Sequence, residues 1–212
     1  MEWGQLISKK WDRVVFYGTL PATFILTVPL HLAFSGYEYN NPIMHLINYI
    51  FVNYGYPIFT VLYGAFLYQD LSHYRRYIKI YGSVSVLTVV VFFWFFGPLI
   101  FDRIDIAAGG HCSLEYNTVY QCEWHQGTWY YGFDSSGHYF MLLIFILTIT
   151  NELIQERDRR RERIKMSVLT VLSCFTVLVW YTMFLVTSIF FHTFKEKVVG
   201  LTVGYIIPVF VL

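Results

Sequence analysis

Long runs of apolar residues constrain the fold of this chain more than any other feature. A helix needs about 20 apolar residues to cross a bilayer. Six segments approach that length, namely Val14–Ser35, Ile43–Tyr68, Ile80–Phe101, Gly137–Ile154, Met166–Phe190 and Val198–Leu212. Their apolar residues are continuous rather than alternating, which favours helices over a membrane β-barrel. The sequence predicts an all-α, polytopic membrane protein. Residues 1–212 are expected to form a single domain of six transmembrane helices. The second helix is expected to have a kink at Pro57.

The positions of the few charged residues predict how these helices are oriented. Charged side chains make up 14% of the chain, well below the usual quarter of soluble domains. Lysine and arginine cluster in three places, which are residues 9–13, 75–79 and 157–165. With six crossings these segments share one side of the membrane, and their positive charge marks that side as cytoplasmic. Both termini are therefore predicted to be cytoplasmic, and the long loop 102–136 is predicted to lie on the opposite, lumenal side.

The basic run ERDRRRERIK falls in the loop 155–165, between two predicted membrane helices. Acidic residues are interspersed with the arginines, which is typical of a solvated cytoplasmic flank that touches anionic headgroups. We expect membrane lipids as partners of this run, and no nucleic acid.

Three cysteines occur in the chain, and two of them lie in the predicted lumenal loop. A lumenal compartment is oxidising, so Cys112 and Cys122 are predicted to form a disulfide. The alternative is a zinc site that adds His111 and His125 to the two cysteines. That alternative is less favoured, because no Cys-x-x-Cys pair is present and His111 adjoins Cys112. Cys174 lies within the fifth predicted span and is expected to be a buried thiol.

The segment FDSSGHYF at 133–140 places a polar cluster directly before an apolar helix. Ser135 and Ser136 are good N-cap residues, and Gly137 permits close backbone approach. The free amides and positive end of a helix N-terminus suit a phosphate. His138 could then donate a proton to a leaving oxygen. The alternative is a histidine at a membrane interface with no chemical role.

A second histidine, His192, precedes the sixth predicted span. Glu196 is four residues further on, so its carboxylate can reach the imidazole on a helix. A carboxylate on one ring nitrogen makes the other nitrogen a better base or nucleophile. The sequence Thr193-x-x-Glu196 also matches a capping box, so Glu196 could serve only as a helix cap. Lys195 and Lys197 add positive charge nearby.

Two ordered motifs carry a resemblance to a known family. The pattern G-F-D-x-S-G-H-x-F at 132–140 and the pattern F-H-T-x-x-E-K-V-x-G at 191–200 resemble the signatures of the fat storage-inducing transmembrane family of the endoplasmic reticulum. The Gly-Gly-x-Cys segment that leads into the cysteine loop fits as well. The resemblance covers the chain from about residue 80 onward.

The resemblance implies an acyl-CoA diphosphatase of the endoplasmic reticulum membrane, related to lipid phosphate phosphatases and active at the lumenal face. His138 is then the general acid, His192 the nucleophile and Glu196 its orienting carboxylate. The upstream basic motif with which those phosphatases hold phosphate is missing here. Its expected substitutes are Ser136, Gly137, Arg103 and Lys195, with Lys197 as an alternative to Lys195. The implied substrate is fatty acyl-CoA, no metal or cofactor is required, and the implied cellular role is lipid balance and lipid-droplet emergence.

Three other functions are compatible with the sequence. The first is a non-catalytic protein that binds and partitions neutral glycerolipid, contacting headgroups through residues such as Asn48, Asn53, Asn151 and Glu152. Interfacial placement is the simpler explanation for those four side chains. The second is a scaffold that recruits partners through the basic run. The third is a transporter, which the lack of an evident inverted repeat disfavours.

Overall fold

The computed structural model describes residues 3–34, 39–92, 100–130, 132, 137–159 and 167–212. The regular secondary structure of this part of the chain is helical, apart from one small two-stranded sheet. Its helices are α1 Trp3–Ala33, α2 Pro42–Asn48, α3 Gly55–Gln69, α4 Tyr74–Phe92, α5 Ile100–Ala107, α6 Val119–Trp124, α7 Gly137–Arg159, α8 Val168–Phe190 and α9 Phe194–Phe210. A π-helical turn, Tyr49–Asn53, follows α2, and a 3₁₀ turn, Leu71–His73, precedes α4.

Three of the described helices are long and apolar enough to cross a bilayer. They contain the stretches Val15–Ala33, Gly137–Arg157 and Val168–Phe190. The pair Pro42–Asn53 and Gly55–Gln69 adds a fourth if it counts as one bent span. The third predicted span runs into residues 93–99, which lie outside the described part of the chain. The all-helical membrane fold is therefore confirmed, whereas the count of six spans stays a prediction.

The second predicted span bends at a different residue from the one expected. Its two halves meet at an angle of 55°, and the break falls at Tyr54 rather than at Pro57. Pro57 lies in the first turn of α3, where a backbone N–H has no helical partner in any case. The predicted bend is therefore present, but it lies three residues before Pro57, on the side where a proline ring excludes a continuous helix.

The described contacts divide the chain into two compact units, of which unit 1 is Met1–Gln69 with Leu142–Phe191. Trp180 of α8 is fully buried in unit 1, and its indole N–H donates to the Phe51 carbonyl at 2.8 Å. The Phe145 ring stacks on Phe59 with centroids 4.8 Å apart and lies 5.4 Å from the Trp180 ring. Such aromatic pairs contribute about 0.5–1.5 kcal/mol each beyond their buried area.

Polar contacts join α1 to α8 within unit 1. His31 Nδ1 lies 2.8 Å from the Ile189 carbonyl, and the hydroxyls of Thr23 and Tyr181 are 2.7 Å apart. In a bilayer such groups have no water to bond with, so partners inside the protein are required.

Unit 2 comprises Asp70–Met141 and His192–Leu212. Helix α4 has a buried stripe at helical spacing, formed by Tyr77, Ile80, Val84, Thr88 and Val91. Helix α9 contacts α4, and its own buried positions include Gly200 and Gly204. Small residues four apart let two membrane helices approach closely.

A small lobe of unit 2 follows α5. Strands β1, His111–Cys112, and β2, Trp129–Tyr130, pair antiparallel, and α6 lies between them in sequence. A disulfide joins Cys112 to Cys122, so these two sulfurs are not available to a zinc ion. A side chain at Gly127 would place its Cβ 2.8 Å and 2.9 Å from the two sulfurs, so only glycine fits there.

Cys174 differs from the expectation of a buried thiol. It is exposed on α8. The sequence of α8 is apolar on every face, so the pattern does not reveal which face packs against protein and which faces lipid. Glu152 of α7, for which an interfacial position was expected, is fully buried within the protein.

Candidate active site

The two sequence-predicted histidines lie close together in unit 2. His138 is in the first turn of α7, and His192 directly precedes the N-cap of α9. Their ring centroids are 6.5 Å apart, and the rings are inclined by 50°. A phosphoryl group placed between two reacting nitrogens needs about 3–3.5 Å on each side. Rings whose centroids are 6.5 Å apart can turn their nitrogens toward one shared phosphoryl group.

The backbone at His192 is in the left-handed region, with φ of 58°. Helix α8 ends at Phe190 and α9 begins at Phe194, so only three residues connect the two helices. A residue other than glycine adopts this region at a cost of about 1–2 kcal/mol. Such strained residues cluster at functional sites, where the surrounding structure holds them in place.

Glu196 forms the capping box that the sequence suggested. Its Oε2 accepts from the Thr193 backbone N–H at 2.6 Å, and the Thr193 hydroxyl accepts from the Glu196 N–H at 3.5 Å. The same Oε2 lies 3.9 Å from His192 Nδ1. That distance permits an ion pair with a protonated ring but is too long for a hydrogen bond. One carboxylate oxygen therefore faces both the helix cap and the imidazole.

The side chains of His192 and Glu196 are largely shielded from solvent, but neither is completely buried. The relative exposure of the His192 side chain is 16% and that of Glu196 is 12%. Low solvent exposure strengthens the interaction between a carboxylate and an imidazolium.

The two lysines near the site are in different environments. Lys195 is exposed, whereas Lys197 is almost completely buried, with 1% exposure. Lys197 lies in the first turn of α9, ahead of the predicted sixth span. Removal of its ammonium from water lowers the pKa of Lys197 to about 8, while the nearby Glu196 carboxylate opposes that shift. The prediction favoured Lys195 over Lys197, and both lysines stay candidates for contact with an anion.

The remaining predicted phosphate-binding residues are placed as follows. Gly137 is the first residue of α7 and directly precedes His138. Arg103 is exposed on α5. Ser136, together with the proposed cap residue Ser135, lies outside the described residues.

Asp105 is a residue of this region that the sequence did not indicate. Its side chain is buried, with 3% exposure, at the end of α5. It packs directly against Gly110 and Gly132, and a Cβ at Gly110 would lie 2.7 Å from Asp105 Oδ1. A Cβ at Gly132 would overlap the same oxygen, and φ there is 95°. Because Gly132 opens the segment that leads to His138, Asp105 lies where it can fix the start of that segment.

Sequence signals for Lys197 and Asp105 exist, although they are weak. Lys197 precedes Gly200 and Gly204 at spacings of three and seven, which puts it on the small-residue face of α9. Asp105 occurs in the amphipathic segment IFDRIDIA, shortly before a Gly-Gly pair. Neither sequence pattern by itself predicts whether the charged side chain is buried or exposed.

Comparison with known proteins gives a consistent result. The family model for the fat storage-inducing transmembrane protein matches residues 37–171 and 155–212. No solved structure matches.

Several curated relatives are named acyl-coenzyme A diphosphatases. Acyl-coenzyme A diphosphatase FITM2 of Xenopus laevis is 31% identical over 138 residues, which are 59% of this chain and 52% of that protein. The protein of that name from Homo sapiens is 28% identical over 134 residues, or 57% of this chain and 51% of the relative. Acyl-coenzyme A diphosphatase fit1 of Schizosaccharomyces pombe is 30% identical over 173 residues, or 76% of this chain and 67% of the relative. The chain thus spans about half the length of the first two of these relatives. From the extent of the family match and the coverage of the yeast relative, we conclude that the chain belongs to the fat storage-inducing transmembrane (FIT) family.

Proposed function

We propose that this chain is an acyl-CoA diphosphatase that cleaves the diphosphate of fatty acyl-CoA. The products are acyl 4′-phosphopantetheine and adenosine 3′,5′-bisphosphate. The observation that carries the proposal is the separation of 6.5 Å between the His138 and His192 rings within one compact unit. The similarity to relatives that are named acyl-coenzyme A diphosphatases supports the choice of substrate.

The reaction proceeds in two steps. His192 Nε2 attacks one phosphorus of the diphosphate, and the bond from that phosphorus to the bridging oxygen breaks. His138 donates its proton to the departing phosphate oxygen. Water, deprotonated by His138, then attacks the phosphohistidine and releases the second product with His192 restored. Nδ1 of His192 faces Glu196 Oε2, which stabilises the positive charge that develops on the ring.

Positive groups in the first turns of two helices hold the phosphates in this proposal. The N-terminal ends of α7 and α9, with their positive dipole ends, lie at His138 and His192 and favour a bound anion. Lys197 supplies a full charge from a site shielded from water, where it interacts strongly with an anion. In this proposal the two histidine motifs are related to those of the lipid phosphate phosphatases. The helix N-termini and Lys197 then take the place of the basic motif with which those phosphatases hold phosphate.

The proposed setting is the endoplasmic reticulum membrane, with six spans, cytoplasmic termini and the histidine pair facing the lumen. The asymmetry of lysine and arginine between loops supports this orientation. The disulfide between Cys112 and Cys122 is typical of an oxidising compartment and supports the lumenal position of residues 102–136. The cellular consequence is control of lipid balance and of lipid-droplet emergence.

The proposal is tested by turnover of oleoyl-CoA with the purified protein in micelles. Mass spectrometry should detect both products in equal amounts, in a reaction that needs no added lipid acceptor. Binding of neutral glycerolipid without any hydrolysis of acyl-CoA would instead support the partitioning function.

Substitution of Glu196 by glutamine separates its two roles. In E196Q the amide oxygen still accepts from the Thr193 N–H, so the helix cap is kept. The negative charge that faces His192 Nδ1 is lost. We therefore expect turnover to fall by about tenfold or more, with thermal stability changed by less than about 0.5 kcal/mol. The matched control is T193V, which removes the capping hydroxyl and keeps the carboxylate. Equal losses of turnover in the two variants would show that Glu196 acts only as a cap.

The buried lysine predicts a particular pH dependence. The Lys197 ammonium is charged below its pKa of about 8 and neutral above it. Since only the charged form attracts phosphate, kcat/KM should fall with rising pH above about 8, approaching tenfold per pH unit. K197Q should have a low kcat/KM and a shallower alkaline limb than K195Q, because only the requirement for the His138 proton then remains. A pH profile of K197Q that parallels the wild type would assign the limb to another group.

A further inference from the structure

A long apolar cavity lies within unit 1. It has a volume of about 530 Å³ and is bounded by α1, α7 and α8. Each of these helices is long and apolar enough to span a membrane. None of the residues that line the cavity belongs to the unit that holds His138 and His192. The volume is within the range of about 300–1,000 Å³ that is typical of sites for small organic ligands.

The lining of the cavity is elongated and mostly apolar. On α7 it extends from Ile146 to Arg157, which corresponds to roughly 16 Å at the helical rise per residue. The walls are aliphatic over most of this length, with residues such as Leu20, Leu147, Ile154 and Leu178. An apolar cavity whose lining extends along a membrane helix suits a hydrocarbon chain better than a compact polar ligand.

The charge of the lining is confined to one end. Among the described residues that line the cavity, Arg157 carries the only charge, and no carboxylate is present. Arg157 is also the first of six basic residues in the run 157–165, on the predicted cytoplasmic side. A guanidinium forms paired hydrogen bonds with phosphate oxygens. Basic pockets between membrane helices on the cytoplasmic side bind anionic headgroups.

We propose that this cavity binds an anionic phospholipid of the cytoplasmic leaflet, with an acyl chain between α1, α7 and α8 and its headgroup phosphate on Arg157. The chain of the lipid fills the aliphatic part of the cavity, and the headgroup meets the basic end. A neutral glyceride would fill the same walls but offer no charge to the guanidinium. The proposal concerns a second lipid site and does not depend on hydrolysis of acyl-CoA.

The chain contains its own probe for this site. Cys174 lines the cavity, and the other two cysteines of the sequence form the disulfide. The rate at which N-ethylmaleimide alkylates the protein, followed by intact mass, therefore reports access to this cavity. The full chain is used, purified in a neutral detergent and supplied with one lipid at a time.

We expect palmitoyl-oleoyl phosphatidylserine to slow the alkylation of Cys174 severalfold, and the matching phosphatidylcholine and diacylglycerol to leave it nearly unchanged. R157Q should weaken protection by phosphatidylserine about tenfold, as expected for loss of a charge-assisted hydrogen bond. R75Q is the matched control, because it removes an exposed arginine that does not line the cavity, and it should keep the protection.

Raised salt gives a second measurement that needs no variant. It should weaken protection by phosphatidylserine, because the contact with Arg157 is electrostatic. Equal protection by the three lipids, protection that survives in R157Q and in high salt, or no protection by any lipid would each overturn the proposal. Stronger protection by oleoyl-CoA than by phosphatidylserine would overturn it as well and would assign the cavity to the substrate.

Discussion

Replacement of either His138 or His192 by alanine is expected to lower the turnover of oleoyl-CoA by about 10²–10⁴-fold. Loss of a positioned proton donor removes that much of the rate, and loss of the nucleophile closes the covalent route altogether. Binding of the substrate should change far less than kcat, since the phosphates keep their contacts with the helix amides and Lys197. The measurement is steady-state hydrolysis in micelles, with KM and kcat determined separately.

The matched control is H111A, which removes an exposed histidine from β1 in the same unit. It should retain wild-type turnover. The two site variants should also differ from each other. Wild-type enzyme quenched in base should carry an acid-labile phosphohistidine, and H192A should not. Full activity in both H138A and H192A, with normal expression, would refute the proposed chemistry and favour a neutral-lipid partitioning role.

Replacement of Gly132 by alanine is expected to destabilise the fold much more than the same change at Gly109. Both glycines have positive φ, 95° at Gly132 and 99° at Gly109, so both variants carry the backbone cost of about 1–2 kcal/mol. Nothing lies within 4 Å of a Cβ at Gly109, whereas a Cβ at Gly132 overlaps the Asp105 carboxylate. Overpacking of this kind adds about 1–3 kcal/mol.

Thermal unfolding of G132A and G109A in one detergent measures this difference directly. Turnover should also fall further in G132A, because residue 132 precedes His138 by only six positions in the sequence. Combining G132A with D105A should recover part of the loss through their coupling. The recovery is incomplete, since the Gly110 Cα also lies 2.8 Å from the Cβ position at residue 132. Equal unfolding temperatures for G132A and G109A would show that Asp105 moves aside freely.

The sequence predicts most reliably where local chemistry alone decides the structure. The Thr193 and Glu196 pair forms the capping box of α9 that the sequence suggested. Ser167 caps α8, which starts within two residues of the predicted boundary. These features depend on hydrogen bonds between residues only a few positions apart, so the pattern of residue types is sufficient to find them.

The structural features that the sequence did not reveal depend on contacts between distant segments. The exposed face of Cys174 and the burial of Lys197 are set by which neighbours pack against α8 and α9. An apolar sequence around the whole helix does not record that choice. The exact position of the bend, at Tyr54 after a π-helical turn and three residues before Pro57, likewise could not be found from the sequence. The resemblance to a family motif links His138 to His192. These two residues are 54 positions apart in the sequence, so their proximity depends on the tertiary fold of unit 2.

The left-handed backbone at His192 also determines which substitutions remove the imidazole without disturbing the backbone. Asparagine accepts this conformation readily, whereas alanine and, above all, branched side chains resist it. If the melting temperature falls in H192A but not in H192N, the decrease is therefore due to the backbone conformation between α8 and α9. The decrease in turnover that the two variants have in common would then belong to the missing ring.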